Sequence, residues 1–110
     1  MQNNKMDNRT RIAFDMDGTL TKQGHFDILN ITPKQLVKIY DKVKPDLKMI
    51  KFANRLYDQG YLVYIFTARS NIYQRQTKKW LDKYKVKYHY FVMDKHFYDI
   101  LTSSPRSPYP

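Results

Sequence analysis

Cysteine is absent from this sequence of 110 residues, so disulfides, thiolate metal sites and sulfur nucleophiles are excluded. Acidic residues are scarce, because 10 Asp and Glu stand against 20 Lys and Arg and leave a formal charge of +10. Long apolar runs are also missing: the longest, residues 61–66, is far too short to cross a bilayer. Residues 1–5 are polar and lack the apolar core of a signal peptide. We therefore expect a cytosolic protein without a membrane segment.

The length suits one compact domain, and 42% hydrophobic residues with ten tyrosines supply a modest core. The excess of basic residues favours partners that carry phosphate. Scattered lysines that only solvate the surface explain the positive charge equally well. No zinc-finger, RNA-recognition or arginine-rich signature makes nucleic-acid binding the first choice. Nucleic acid therefore stays a possible partner, and nothing in the sequence indicates the oligomeric state.

The most informative stretch is an apolar strand that runs into acidic residues, Ile12–Leu20. Side chains of a strand alternate, so Asp15 and Asp17 leave its end on one side. Two carboxylates so close repel each other unless a cation lies between them, and Mg²⁺ prefers such oxygen ligands. Gly18 permits a backbone turn there, and Thr19 adds a hydroxyl. A magnesium site is the first expectation at this position.

Two simpler explanations exist for the same pattern, a calcium loop and a plain polar turn after a strand. An EF-hand loop needs a preceding helix, further oxygen ligands at fixed offsets and a glutamate near its end. Here a strand precedes the acids, and Leu20, Thr21 and Lys22 follow them. Both explanations are therefore less favoured than the magnesium site.

Strands and helices alternate along the chain, which predicts a parallel sheet with right-handed crossovers. We expect an α/β fold of the Rossmann-like three-layer α/β/α type, with a short, mostly parallel sheet and a minimal cap insert at about residues 21–44. Residues 1–9 form a flexible lead, residues 10–101 the domain and residues 102–110 a disordered tail. The expected strands span residues 11–15, 61–66, 86–92 and 98–101, and the expected helices span residues 33–42 and 46–59 and a stretch from about residue 71.

Details of these elements carry further expectations. The first strand has the apolar content of a central strand that is buried on both faces. The loop at residues 21–27 is a candidate flap, in which His25 could contact a substrate, although a single loop histidine is more often exposed. Trp80, at helical spacing with other apolar residues, is expected in the core.

Ligands of parallel sheets collect beyond the carboxyl ends of the strands. Five chemically active residues lie at or just past such an end. We expect them to surround one crevice: Asp15, Asp17, Thr67, Arg69 and Lys95.

The stretch from Phe14 to Leu20 closely resembles the first motif of the haloacid dehalogenase superfamily of phosphohydrolases. Thr67 matches the second motif, and Lys95 is a candidate for the third-motif lysine. Residues 75–81 are similar to the helix that follows the second motif in small members, among them the phosphatase half of phage-type polynucleotide kinase-phosphatases and small capsule-associated phosphatases. The resemblance covers residues 11–101.

This resemblance implies that Asp15 is the nucleophile that receives the phosphoryl group, and that Asp17 protonates the leaving alcohol and later activates water. Thr67 and Lys95 would hold phosphoryl oxygens, and Mg²⁺ another. A phosphorylated small molecule or a nucleic-acid end would be the substrate. The substrate-binding set is Gly18, Thr19, Ala68, Arg69 and Arg75, and the metal ligands are Asp15, Asp17 and Asp99.

One departure from the family concerns its fourth motif, which supplies one or two further aspartates for the metal. Ser103 and Ser104 stand where those acids are expected, and neutral hydroxyls are poor magnesium ligands. Either Asp94 or Asp99 substitutes, or the metal is held weakly, or turnover is reduced. A catalytically impaired module that binds phosphate or nucleic acid is therefore the main alternative. A phosphotransferase that passes the phosphoryl group to another alcohol stays open.

Overall fold

The computed structural model describes residues 8–23 and 30–94. Three parallel strands form one sheet in the order β1, β2, β3: Arg11–Asp15, Leu62–Phe66 and Tyr90–Val92. Three α-helices accompany them: α1 Pro33–Lys42, α2 Leu47–Asp58 and α3 Gln74–Lys83. The expected Rossmann-like α/β class with a small parallel sheet is thus confirmed. None of the helices in these two ranges is long and apolar enough to cross a membrane.

The helices begin where their capping residues predict. Thr32 accepts a hydrogen bond from the Gln35 N–H, and the Gln35 side chain accepts one from the Thr32 N–H, which completes a capping box before α1. Asp46 caps α2 by accepting from the Met49 N–H. A 3₁₀ turn, Asn71–Tyr73, precedes α3 and is capped by Ser70. The third helix therefore starts about one turn later than the sequence indicates.

The core lies between one sheet face and the helices. Ile12 and Phe14 of β1 are paired with Val63 and Ile65 of β2, so these four side chains share a face. They belong to one apolar cluster with residues from α2 and α3, and Trp80 at 2% exposure is part of it. The expectation that Trp80 is a core residue is confirmed.

The burial on both faces expected for β1 and the length expected for the third strand are wrong. Among the described strands β2 is central and β1 lies at an edge, with Arg11, Ala13 and Asp15 exposed. The third strand is confined to Tyr90–Val92, because the Val86 N–H donates to the Leu81 carbonyl and the Lys87 N–H donates to the Asn54 Oδ1 instead of to a neighbouring strand. The expected fourth strand, residues 98–101, lies outside the described residues, as do most of the lead at residues 1–9 and the tail at residues 102–110.

The chain between β1 and α2 is closed at its base by backbone hydrogen bonds. The Lys22 N–H donates to the Lys44 carbonyl at 2.9 Å, and the Asp46 N–H donates to the Leu20 carbonyl at 2.8 Å. Thr21 and Pro45 form an antiparallel bridge between the same two segments. The segment that carries α1 therefore leaves and rejoins the domain at one point, directly after the acidic motif.

Candidate active site

The carboxyl ends of all three strands meet at one edge of the sheet, and Asp15 is the last residue of β1 there. Its side chain is exposed, and its Oδ1 accepts a hydrogen bond from the Met16 N–H at 2.7 Å. Within the described ranges its Oδ2 accepts no hydrogen bond. One carboxylate oxygen is thus held by the backbone, and the residue as a whole is exposed.

A wide turn, Met16–Leu20, follows Asp15 and is closed by a hydrogen bond of 3.1 Å from the Thr21 N–H to the Met16 carbonyl. Gly18 has a φ of 83°, a conformation that other residues resist. Its N–H donates to the Thr21 Oγ1 and to the Gln23 carbonyl, each at 3.1 Å. The buried Thr21 hydroxyl in turn donates to the Gln23 carbonyl at 2.6 Å. Thr21 therefore fixes the turn from inside, and the Gly18 amide is already occupied.

Asp17 projects from this turn onto Arg69, which follows β2. The Arg69 Nη2 donates to the Asp17 Oδ1 at 2.7 Å, and the Arg69 Nε donates to Oδ2 at 3.0 Å. The Arg69 side chain is 1% exposed and that of Asp17 19% exposed. A bidentate pair of this geometry holds both side chains in one orientation.

Arg69 has two further partners, one on each of two helices. Its Nη1 donates to the Thr77 Oγ1 of α3 at 3.0 Å, and its Cζ lies 3.7 Å from the ring centroid of Tyr40 of α1. Thr77 donates its own hydroxyl proton to the Tyr73 carbonyl at 2.9 Å. The guanidinium therefore joins the acidic turn to both α1 and α3.

Burial raises the pKa of Tyr40 above its ordinary value of 10.0. Nearby Arg69 acts in the opposite direction, while Asp17 and Tyr73 raise the pKa further. The phenol beside the guanidinium is therefore neutral at physiological pH.

The loop after β2 is attached to the end of β3. The Thr67 N–H donates to the Val92 carbonyl at 2.9 Å, and the Asp94 N–H donates to the Arg69 carbonyl at 3.0 Å. Asp94, at a φ of 56°, accepts from the Asn71 N–H through its Oδ2 at 3.1 Å. These contacts hold Arg69 in position from the backbone side.

The two other sequence candidates in this loop differ in exposure. Thr67 is 0% exposed, and its Oγ1 accepts the Arg69 N–H at 3.1 Å, so its hydroxyl orders the loop. A contact between Thr67 and a phosphoryl group would need the loop to open, and it stays a prediction. Ala68 is exposed beside it.

The remaining sequence candidates are placed as follows. Thr19 is half-buried in the wide turn, and Arg75 is exposed in the first turn of α3. Their proposed contacts with substrate stay predictions. The residues that lie outside the described ranges are His25, Lys95, Asp99, Ser103 and Ser104.

The donor set only partly fits a magnesium ion. The exposed Asp15 carboxylate is a suitable hard ligand, whereas both Asp17 oxygens already accept hydrogen bonds from a cation. No group of three His, Cys, Asp or Glu side chains in the described part of the chain could hold a metal. One oxygen of Asp94, Oδ2, already accepts the Asn71 N–H. Further ligands would have to be carbonyls, waters, the second oxygen of Asp94 or residues outside the described ranges.

Sequence reasoning missed three residues of the site: Tyr40, Thr77 and Thr21. Thr77 carried a usable signal, because a hydroxyl on the apolar face of a helix needs a hydrogen-bond partner. Tyr40 was indistinguishable from the other apolar positions of α1. Nothing in the sequence pattern marked Thr21 as buried.

Comparison with known proteins finds solved structures with a similar fold but no matching family. No family model matches the sequence, and no curated protein matches it. A solved MCSG target from Vibrio cholerae is similar with a TM-score of 0.59 and 22% identity, over 78% of this chain and 70% of that one. A chain of the Pnkp1/Rnl/Hen1 complex is similar with a TM-score of 0.59 and 25% identity, over 77% of this chain. The match spans only 27% of the latter's length.

Proposed function

We propose that the protein is a Mg²⁺-dependent phosphomonoester hydrolase that works through a phosphorylated Asp15. The observation that carries the proposal is the exposed Asp15 carboxylate at the carboxyl edge of the sheet, with Asp17 held beside it by the buried Arg69. A nucleophile that faces solvent next to a fixed proton carrier is the arrangement that two-step phosphoryl transfer requires.

The reaction has two displacements. In the first, the Oδ2 of Asp15 attacks phosphorus and the bond from phosphorus to the ester oxygen breaks. That oxygen takes a proton from Asp17, which is a carboxylate while it is paired with Arg69 and must first gain this proton from solvent on release from the arginine. In the second, Asp17 takes a proton from a water molecule whose oxygen attacks phosphorus, and the Asp15 carboxylate leaves. The products are an alcohol and inorganic phosphate.

Arg69 acts in this scheme as a positioning residue. The bidentate contact of Arg69 fixes the direction of the Asp17 carboxyl group. Its contacts with Tyr40 and Thr77 hold the guanidinium itself in place. Orientation of a proton donor within hydrogen-bond reach of the leaving group is the main requirement of general acid catalysis.

Asp15 would be one ligand of the magnesium ion, together with carbonyls, waters or acids from residues after position 94. When bound, the ion neutralises charge on the phosphoryl oxygens. The +10 charge of the chain adds a general attraction for anionic substrates.

The substrate that we favour is a nucleotide or a nucleic-acid end. Support comes from the basic composition, from the sequence resemblance of residues 75–81 to polynucleotide kinase-phosphatases, and from the likeness in fold to a chain of the Pnkp1/Rnl/Hen1 complex. A small phosphorylated molecule is the alternative substrate.

The test is hydrolysis of a generic aryl phosphate and of 3′-phosphorylated oligonucleotides with Mg²⁺, by the wild type and by Asp15→Asn. We expect turnover by the wild type alone. Equal rates in both proteins would rule out the proposal, since the variant removes the nucleophilic oxygen at an exposed position.

A second candidate function is phosphate or nucleic-acid binding without turnover. The observation that favours it is the engagement of both Asp17 oxygens by Arg69, with no third acidic or histidine ligand among the described residues. Thermal unfolding under a Mg²⁺ titration separates the two. A metal-dependent rise in Tm favours the hydrolase, and an unchanged Tm with salt-sensitive oligonucleotide binding favours the binder.

A further inference from the structure

Two large apolar side chains of α2 stay in contact with solvent, Leu47 at 66% and Phe52 at 42% exposure. At about 100° per residue, they lie at the two borders of one arc of the helix, and three exposed basic side chains lie between them. The buried residues Ile50 and Ala53 lie on the opposite side of the helix. We call this arc the outer face of α2, and it consists of Leu47, Lys48, Lys51, Phe52 and Arg55.

The charge of the outer face is of one sign. Residues 47–57 contain no Asp or Glu, and none of the three cations forms an ion pair with a residue of the described ranges. The acids at the two ends of the helix are engaged, Asp46 as the helix cap and Asp58 with Lys87. The other two helices also carry exposed lysines but no large apolar side chain that is exposed. The combination of cations with exposed apolar side chains therefore distinguishes α2.

The outer face adjoins the acidic motif at two places. The Asp46 N–H, directly before α2, donates to the Leu20 carbonyl at 2.8 Å and holds the start of the helix against the end of the acidic turn. The Phe52 ring meets the Phe14 ring edge to face, with the centroids 6.2 Å apart and the planes at 85°. Phe14 directly precedes Asp15 on β1. Phe52 is therefore a single ring contact away from the residue before the candidate nucleophile.

The ligand that suits the outer face carries both negative charges and flat apolar groups. Phe14 lies on one side of the Phe52 ring, and the exposed part of that ring can stack on a planar group. Lys48, Lys51 and Arg55 follow one another at about 4.5 and 6 Å along the helix axis, so one extended anionic chain can contact all three. Phosphates alternate with planar bases in a single strand of nucleic acid. A second copy of this chain would bring like charges together.

We propose that the outer face of α2 binds the strand of a single-stranded nucleic acid, with a base stacked on Phe52; the inference rests on the proposed function for the terminal phosphate of that strand at Asp15. The three cations contact the phosphates that precede the terminal one. Leu47 adds an apolar contact at the start of the helix.

Binding is measured by the fluorescence anisotropy of a labelled single-stranded oligonucleotide without terminal phosphate, so that the signal does not require the Asp15 site. An abasic oligonucleotide of the same length tests the base contact, and polyglutamate tests for an acidic peptide as the ligand. We expect the base-containing strand to bind most tightly. Equal affinity for the abasic strand, or displacement of the oligonucleotide by polyglutamate at equal charge, would overturn the proposal.

Phe52→Leu tests the stacking contact and keeps an apolar side chain against Phe14. It should weaken binding of the base-containing strand about 5- to 10-fold and leave binding of the abasic strand unchanged. The matched control is Tyr90→Leu, which removes an aromatic ring of 52% exposure from β3. An equal loss of affinity in both variants would contradict a base contact at Phe52.

The phosphate contacts are tested at exposed positions, where substitution does not threaten the fold. Lys48→Gln/Lys51→Gln should weaken binding of both strands and lower the salt slope of log K by about 1.4. The matched control is Lys79→Gln/Lys83→Gln on α3, with the same loss of charge at exposed positions. An effect of the α3 pair as large as that of the α2 pair would show that only the overall charge of the protein matters, and would overturn the proposal.

Failure of this inference and failure of the proposed function give different results. We expect the α2 pair to lower kcat/KM for a 3′-phosphorylated oligonucleotide and to leave kcat/KM for an aryl phosphate unchanged. If binding depends on the α2 residues but the wild type hydrolyses neither substrate, the outer face stands and the hydrolase is ruled out. If the wild type hydrolyses both substrates and the α2 and α3 pairs have equal effects, the hydrolase stands and the outer face is ruled out.

Discussion

Arg69 and Asp17 form a bidentate ion pair, with N–O distances of 2.7 and 3.0 Å, between the loop after β2 and the turn after β1. The pair links the segments that follow β1 and β2, and its two residues are 52 positions apart in sequence. Because the arginine also contacts α1 and α3, the orientation of one acidic residue depends on four parts of the fold.

Removal of Arg69 should destabilise the protein strongly. In Arg69→Met the Asp17 carboxylate loses its partner and Thr77 loses a hydrogen bond, so the free energy of unfolding should fall by about 3–5 kcal/mol. Arg69→Lys keeps the positive charge and should lose less stability than Arg69→Met. It should still be less stable than the wild type, because an ammonium cannot make the fork-shaped contact. Urea unfolding measures both.

The control for Arg69 is the exposed pair between Lys87 and Asp58, at 2.7 Å. Lys87→Met should cost at most about 1 kcal/mol, because both side chains are solvated. A similar fall in the free energy of unfolding for Arg69→Met and Lys87→Met would contradict the larger contribution assigned to the buried Arg69.

Asp17→Asn should separate the two chemical steps. An aryl phosphate has a good leaving group that needs little protonation, so phosphorylation of Asp15 should persist while attack by water slows. Rapid mixing should then show a burst of about one phenol per protein, followed by a slow phase. If Asp17→Asn lowers the burst rate and the steady-state rate by the same factor, Asp17 is not the base of the second step.

Alkaline pH should lower the free energy of unfolding, and ionisation of Tyr40 should account for part of that fall. Its raised pKa means that the folded state retains the phenol proton more tightly than the unfolded state does. The resulting stabilisation is complete below about pH 10 and is lost as the pH rises through the higher folded pKa. Tm should therefore fall less steeply above pH 10 in Tyr40→Phe than in the wild type. Identical slopes would contradict the assignment.

Thr21→Val should disturb the acidic turn without touching its acids. The substitution is nearly isosteric, yet it leaves the Gly18 N–H and the Gln23 carbonyl without their hydroxyl partner. We expect a loss of about 1–3 kcal/mol in stability, and lower turnover from a less ordered turn. Thr21→Ser keeps the hydroxyl and serves as the control. A valine variant as stable and active as the serine variant would show that the hydroxyl is dispensable.

The elements, and the approach of Asp17 and Arg69 at the strand ends, could be predicted to a large extent from the sequence. Parallel strands bring their carboxyl ends together, so an acidic motif after β1 and Arg69 after β2 had to lie near each other. Helix caps such as Thr32 and Asp46 have local causes, which explains why these boundaries were found within one residue.

Three features could not be read from local pattern. The edge position of β1 among the described strands depends on pairing between strands that are distant in sequence, and an apolar strand sequence does not record its place in a sheet. The short β3 follows from contacts of the Val86 and Lys87 amides with Leu81 and Asn54, which lie elsewhere in the fold. The pairing of Asp17 with Arg69 depends on contacts of Arg69 with Tyr40 and Thr77 that the fold creates.

The most direct test of the hydrolase is detection of phosphate on Asp15. The protein is incubated with Mg²⁺ and an aryl phosphate, quenched in acid and digested, and the peptide that contains residues 12–22 is examined by mass spectrometry. We predict an alkali-labile phosphoryl group on Asp15, more abundant in Asp17→Asn and absent in Asp15→Asn. Turnover by the wild type, with no phosphate on this peptide in the wild type or in Asp17→Asn, would contradict a phosphorylated Asp15 intermediate.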